Sequence, residues 1–232
     1  MSDLAMRQAY LRALGIEAWR MRTTRVEPES HVPSPPTPAN QPGDWDSLCG
    51  QVASCQRCGL HAGRTQTVFG VGARDAHWMI VGEAPGAEED RRGEPFVGRA
   101  GKQLDEMLRA IGLSRETVFI ANVLKCHPPG NRDPKPEEVA QCRPYLERQI
   151  GLIRPRLILA VGRVAAQNLL GTDAPLGRLR GRVHSFGERS TPLIVTYHPA
   201  YLLRAPAEKR KAWDDLKFAC ATLQSTQAAT ER

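Results

Sequence analysis

Four cysteines in this 232-residue chain have the type and spacing to hold a metal centre. Cys55-x-x-Cys58 puts two thiolates within reach of one point, and Cys126 and Cys142 would supply the other two. Four sulfurs suit either a tetrahedral zinc ion or an iron–sulfur cluster. Zinc ribbons use two close pairs, whereas fifteen residues separate Cys126 from Cys142, so the spacing favours a cluster. The bland role for Cys126 and Cys142 is that of small buried core residues. Cys49 and Cys220 fit that role better. Cys220 lies on an apolar helical face and Cys49 precedes the motif without a partner, although it could stand in for Cys55.

Three further residues have chemistry and a shared context. Glu83, Asn122 and His198 each follow a short apolar run: His77–Val81, Val118–Ala121 and Leu193–Tyr197, the last of which ends just before His198. A fourth run, Leu157–Val161, ends at Gly162. Helical patterns lie between these runs. Leu104, Met107, Leu108 and Ile111 follow i, i+3, i+4, i+7 spacing. A second helix is expected from Pro136, with Glu137 and Glu138 at its positive end and Pro144 kinking it. A third spans Val164 to Leu170, and Trp213, Leu216, Cys220 and Leu223 mark the apolar face of a last one. Strands alternating with helices imply an α/β fold with a mostly parallel sheet covered on both faces. Ligands of such sheets bind beyond the carboxyl ends of the strands. The topology therefore brings Glu83, Asn122 and His198 to one crevice.

Charge points to a polyanionic partner. The net charge of +7 lies wholly outside the first 45 residues, which hold five basic and five acidic residues. A basic body suits nucleic acid. No run approaches the roughly 20 apolar residues of a membrane span, and the N-terminus does not read as a secretory signal. The expectation is a cytoplasmic, monomeric protein with no membrane contact. Residues 1–27 read as a short helical arm, with the helix over 3–20. Six of the eighteen prolines fall between Pro28 and Pro42, which makes 28–44 an extended linker. The folded domain is expected over 45–225, followed by a tail over 226–232.

The motifs CQRCGL, GEAPGAEEDRRGEPFVGRAGKQLDEML, ANVLKCHPPGNRDPKPEEVAQC, LGRLRGRVH and TYHPAYLLR, in that order, resemble those of family 4 uracil-DNA glycosylases. The resemblance covers about residues 49–220. It implies a three-layer α/β/α sandwich and a 4Fe–4S cluster on Cys55, Cys58, Cys126 and Cys142. It also implies a pocket for a uracil extruded from single- or double-stranded DNA. The enzyme would hydrolyse the N-glycosidic bond and leave an abasic site. Carried over singly, the uracil-binding residues are Gly82, Glu83, Ala84, Phe96, Asn122 and His198, with Glu83 and His198 catalytic. The resemblance further suggests that Glu89 crowds C5 and excludes thymine.

Physical chemistry gives these residues roles. Phe96 offers a stacking face. The Asn122 amide can accept from uracil N3–H and donate to O4, a pattern cytosine reverses. His198 can donate to the O2 of the departing uracil anion. Glu83 can favour the cationic sugar or orient water. Arg132, Arg178, Arg180, Arg182 and Arg204 are candidate phosphate partners. Tyr201, Leu202 and Leu203 are candidate wedges into the duplex. Two other readings compete. One is a cross-linking cousin of the same fold, which needs a basic loop where this chain has KCHPPGNRD. The other is a non-catalytic zinc nucleic-acid module on the same four cysteines.

Overall fold

Short runs of Val, Ile, Leu and Ala bounded by glycine and polar residues suit strands buried on both faces. In the computed structural model, which describes the backbone of residues 45–230 and the side chains of residues 45–225, such runs form the centre of one sheet. The expected arm over 1–27, with its helix over 3–20, and the proline linker over 28–44 lie outside the described residues. The strands are β1 (Val71–Gly72), β2 (Trp78–Gly82), β3 (Phe119–Asn122), β4 (Leu157–Val161), β5 (His184–Phe186) and β6 (Thr191–Thr196), in the order β1-β3-β2-β4-β6-β5. The four inner strands are parallel. The edges β1 and β5 pair antiparallel to β3 and β6.

Side chains alternate along each inner strand, and two helical layers take the two faces. Met79, Val81, Ile158, Ala160, Leu193 and Val195 pack with helices α1 (Trp45–Ala53), α4 (Pro136–Ile153) and α5 (Arg163–Leu170). Trp78, Ile80, Leu157, Leu159 and Ile194 pack with α3 (Arg99–Ala110), α7 (Pro199–Arg204) and α8 (Lys209–Thr230). Short helices α2 (Ala87–Arg92) and α6 (Leu176–Leu179) complete the α-helices among the described residues. This is the expected three-layer α/β/α sandwich. Ile80, Leu159 and Ile194 are fully buried, and truncating one to alanine costs about 2–5 kcal/mol.

Helix starts follow local chemistry. Pro136 stands at the first turn of α4, and the Glu138 carboxylate accepts from the Lys135 backbone N–H at 2.9 Å. The helix runs through Pro144 to Ile153. Helix α8 continues to Thr230, so most of the segment expected as a tail is helical backbone.

The topology makes the site. The chain passes from β2 to β3 on one side, then returns to place β4 on the other side of β2. Such a switch opens a crevice at the carboxyl ends of β2 and β4. Register aligns those ends: Gly82 pairs with Asn122 and Val161 with Thr196.

Candidate active site and cysteine recess

Gly82 closes β2, and its missing side chain is a structural requirement. A Cβ there would collide with Asn122 Oδ1 and come within 2.6 Å of Phe96 Cζ. The amide and the ring therefore meet over the Gly82 backbone. Gly162 plays the matching part after β4. Its φ of +100° is open to glycine, and a Cβ would lie 2.9 Å from His198 Cβ. The Phe96 and His198 rings stand 5.7 Å apart. Residues that follow or close β2, β3 and β6 are thus joined through one aromatic ring from the loop before α3.

Asn122 is 2% exposed, and its Oδ1 is buried with no hydrogen-bond partner among the described residues. An unpaired buried acceptor costs about 1–3 kcal/mol, so this amide is poised for a donor that a ligand would bring. Its backbone carbonyl accepts from Lys125 Nζ at 2.9 Å.

His198 caps α7. Its Nδ1 accepts from the Ala200 backbone N–H at 3.1 Å. A ring whose Nδ1 accepts keeps its proton on Nε2. Burial first, then the charge of Arg204, pulls the imidazole down to about 4 against the opposing pull of Glu89. The ring is neutral at physiological pH and presents one N–H donor. Glu83 is shifted the other way. Burial pushes it up to about 7, Asp133 adds to the rise, and Arg163 opposes it. Asp133 and Arg163 form an ion pair at 2.6 Å.

Phe96 is held from several sides. Its φ of +55° is uncommon for a residue with a side chain. Arg115 donates to the Pro95 and Phe96 carbonyls at 2.6 and 3.1 Å and to Asp105 at 3.2 Å. Glu89 accepts from Val97 N–H at 3.1 Å and Gly98 N–H at 3.3 Å, and from Gly86 N–H at 3.1 Å. Gly101 lies so close beneath that a Cβ would enter the Phe96 carbonyl. Glu89 thus ties the start of α2 to the Phe96 loop, an occupation its sequence context did not suggest. Ala84 is half-buried against the α1 and α4 side of the core.

The expected DNA-facing residues divide. Arg178, Arg182, Arg204, Tyr201 and Leu203 are exposed. Arg180 is not available: its side chain, 12% exposed, pairs with Asp215 at 2.7 Å, donates to the Lys211 carbonyl and lies over the Tyr197 ring. Leu202 is 1% exposed in the core beside α8, because α7 turns only one of its three consecutive side chains inward. Burial thus holds Leu202 in the core, and the ion pair with Asp215 engages the partly exposed Arg180. Arg132 is bound through two nitrogens to Glu138, at 2.9 and 2.5 Å, and buttresses the start of α4.

Cys55, Cys58, Cys126 and Cys142 line one recess of about 300 Å³, part of it open to solvent, with Arg64, Lys125 and Tyr145. Cys49 and Cys220 are not among its lining residues, and Cys220 packs in the opposite layer. Among the described residues no group of three His, Cys, Asp or Glu closes on a single ion; the four cysteines share the lining of the recess. Donors already point at them. Arg64 Nη1 lies 3.3 Å from Cys126 Sγ, and the Lys125 backbone N–H lies 3.2 Å from Cys142 Sγ. Burial raises the Cys126 thiol and pushes Cys142 up to about 12. Ligation by a positive centre would reverse that penalty. The donor set therefore fits a thiolate-bound cluster.

Arg64, Lys125 and Arg115 were not singled out from sequence. A lysine inside the apolar run NVLKC was the available signal for Lys125; nothing local marked the two arginines.

Comparison with known proteins gives the family. The family model described as the uracil DNA glycosylase superfamily matches residues 69–217. The type-4 uracil-DNA glycosylase of Archaeoglobus fulgidus is 47% identical over 178 residues, covering 74% of this chain and 89% of the relative. That of Thermotoga maritima is 46% identical over 156 residues, covering 66% and 80%. A type-5 enzyme of Pyrobaculum aerophilum is 28% identical over 194 residues, covering 69% and 84%.

Proposed function

Given that the chain belongs to the type-4 uracil-DNA glycosylases, we propose how its residues divide the work. The protein is a DNA-repair glycosylase that takes uracil out of DNA and hydrolyses its N-glycosidic bond. Extruding a base costs a few kcal/mol, and stacking on Phe96 returns about 1–3 kcal/mol. The Asn122 amide accepts from N3–H and donates to O4. Cytosine presents the reverse pattern and leaves both groups unpaired.

Bond cleavage moves negative charge onto uracil and positive charge onto the sugar. The neutral His198 donates from Nε2 to O2, where the negative charge grows. Ionised Glu83 stabilises the cationic sugar and orients the attacking water. Glu89 holds the loop on which Phe96 stands, and we assign the exclusion of thymine to the crowding this loop creates at C5. The exposed Arg178, Arg182 and Arg204 bind phosphates, with Tyr201 and Leu203 as wedges. Arg132 acts indirectly, by fixing the loop before α4.

Cys55, Cys58, Cys126 and Cys142 would hold a 4Fe–4S cluster. When bound, it supplies a cross-link between the α1 region, the loop after β3 and α4. The protein acts as a cytoplasmic monomer, in a compartment where cysteines stay reduced. No helix among the described residues is long and apolar enough to cross a membrane.

The observation that carries this reading is the meeting of Asn122 and Phe96 over Gly82. The test is a release assay on single- and double-stranded oligonucleotides carrying one U, T or hypoxanthine. Release from U and none from T is the expected result. Equal release from T would overturn the pocket assignment.

A further inference from the structure

Lys125 is an anomaly in the interior. It is 1% exposed, yet among the described residues its ammonium bonds only to neutral oxygens: Asn122 O at 2.9 Å and Gln149 Oε1 at 2.6 Å. Gln149 is itself fully buried. None of the ion pairs among the described residues includes Lys125. Buried charges are paired or lie against metal centres, because desolvation is otherwise uncompensated. The same residue donates its backbone N–H to Cys142 Sγ and precedes Cys126 in the chain. On the more open side of the recess Arg64 donates to Cys126 Sγ and to the Cys55 carbonyl at 2.8 Å.

We propose that Lys125 and Arg64 are the counter-charges of the cluster, and that Lys125 links the cluster to Asn122. The inference rests on the cluster reading above. Four thiolates bring four negative charges, of which an iron–sulfide core cancels only part. Lys125 supplies one positive charge from within the core and Arg64 supplies one from the rim. The Lys125 ammonium is held in the interior by that negative charge, and it in turn pins the Asn122 carbonyl. The uracil-reading amide is thus set at the far end of a side chain anchored by the cluster. This gives the cluster a role in a hydrolytic reaction that needs no electron transfer: it fixes the geometry of the base reader.

The potential of an iron–sulfur centre depends on net charge and on hydrogen bonds to its sulfurs. Removing a nearby cation disfavours the more negative, reduced state. The experiment compares holo wild type, Lys125→Met, Arg64→Gln and a control, Lys217→Gln on α8. Each is assayed for iron and sulfide, for midpoint potential by titration followed by electron paramagnetic resonance, and for equilibrium binding of free uracil. The expected result is a potential shifted negative in Lys125→Met and Arg64→Gln and unmoved in Lys217→Gln. Uracil binding should fall about tenfold in Lys125→Met, as for loss of a hydrogen bond to a charged group, and hold in Arg64→Gln. Wild-type potential in both cluster-loaded variants would overturn the counter-charge assignment. Should Lys125→Met not fold, an unmoved potential in Arg64→Gln alone would do so. Wild-type uracil affinity in cluster-loaded Lys125→Met would overturn the link to Asn122. Wild-type protein with zinc, or without iron, would overturn the cluster reading and this inference with it, and metal content tells that failure apart.

Discussion

The Phe96 ring and the His198 imidazole stand 5.7 Å apart, centroid to centroid, with their planes tilted by 32°. One comes from a loop before α3, the other from the turn after β6. Their approach needs Phe96 in a left-handed backbone conformation, with φ of +55°, which Arg115 and Glu89 hold through four backbone hydrogen bonds at residues 95–98. Strain of this kind, about 1–3 kcal/mol, persists where the surroundings over-determine it.

Replacing Gly82 by alanine puts a methyl group where Asn122 Oδ1 and the Phe96 ring now meet. The Gly82→Ala protein should keep its iron content and lose uracil release by at least about 100-fold, since a small misplacement in a pocket costs that much. Iron analysis and a release assay on the same preparation check it. Activity near wild type would mean that the two side chains do not form the pocket floor.

Asn122→Asp keeps an acceptor and loses the donor aimed at O4. Loss of that match should slow uracil release by about 10- to 100-fold, the equivalent of about 1–3 kcal/mol. The ratio of cytosine to uracil release should rise, because a carboxylate accepts from the cytosine amine. Oligonucleotides carrying a single U or a single unpaired C measure both.

The pH profile tests Glu83. Burial raises its carboxyl to about 7, so its ionised fraction grows as pH rises through neutrality. If the ionised form stabilises the sugar cation, the single-turnover rate should climb about tenfold from pH 6 to pH 8. The His198 imidazole, pulled down to about 4, is neutral across that range and contributes no limb. Glu83→Gln should be slow and flat. A rate that falls with pH would make Glu83 an acid instead.

Arginines on two adjacent turns should behave differently. Arg180→Ala leaves Asp215, 3% exposed, without its partner, and should cost about 3–5 kcal/mol of stability with little change in the salt dependence of DNA binding. Arg178→Ala and Arg182→Ala should leave stability intact and lower the salt slope by about 1 each. Denaturant titration and binding at several salt concentrations separate the two classes.

The inner four strands were legible because they are continuous apolar runs ending in glycine or a polar residue. Their shared exit side puts Glu83, Asn122 and His198 beyond the same end of the sheet. The edges were not legible. Strand β1 is two residues long and half-buried, and β5 carries a buried/exposed pattern too short to stand out. Side-chain commitments across the fold were equally hidden. Nothing around Arg180 announces Asp215, which lies 35 residues later on α8. The run Tyr201-Leu202-Leu203 looks uniformly apolar, yet one helical turn sends only Leu202 inward. Glu89 looks like part of a solvated acidic run until its three backbone partners are seen.

His198 as the donor to the leaving uracil is the central role in the proposed site. Uracil gains charge only as the bond breaks, so this donor acts in the transition state more than in the ground state. Single-turnover rate and DNA affinity, measured separately for His198→Ala at saturating enzyme, decide the matter. The predicted result is a rate about 10²–10³ slower with affinity within a few-fold of wild type. Weak binding with a normal rate at saturation would contradict it and make His198 a DNA-positioning residue.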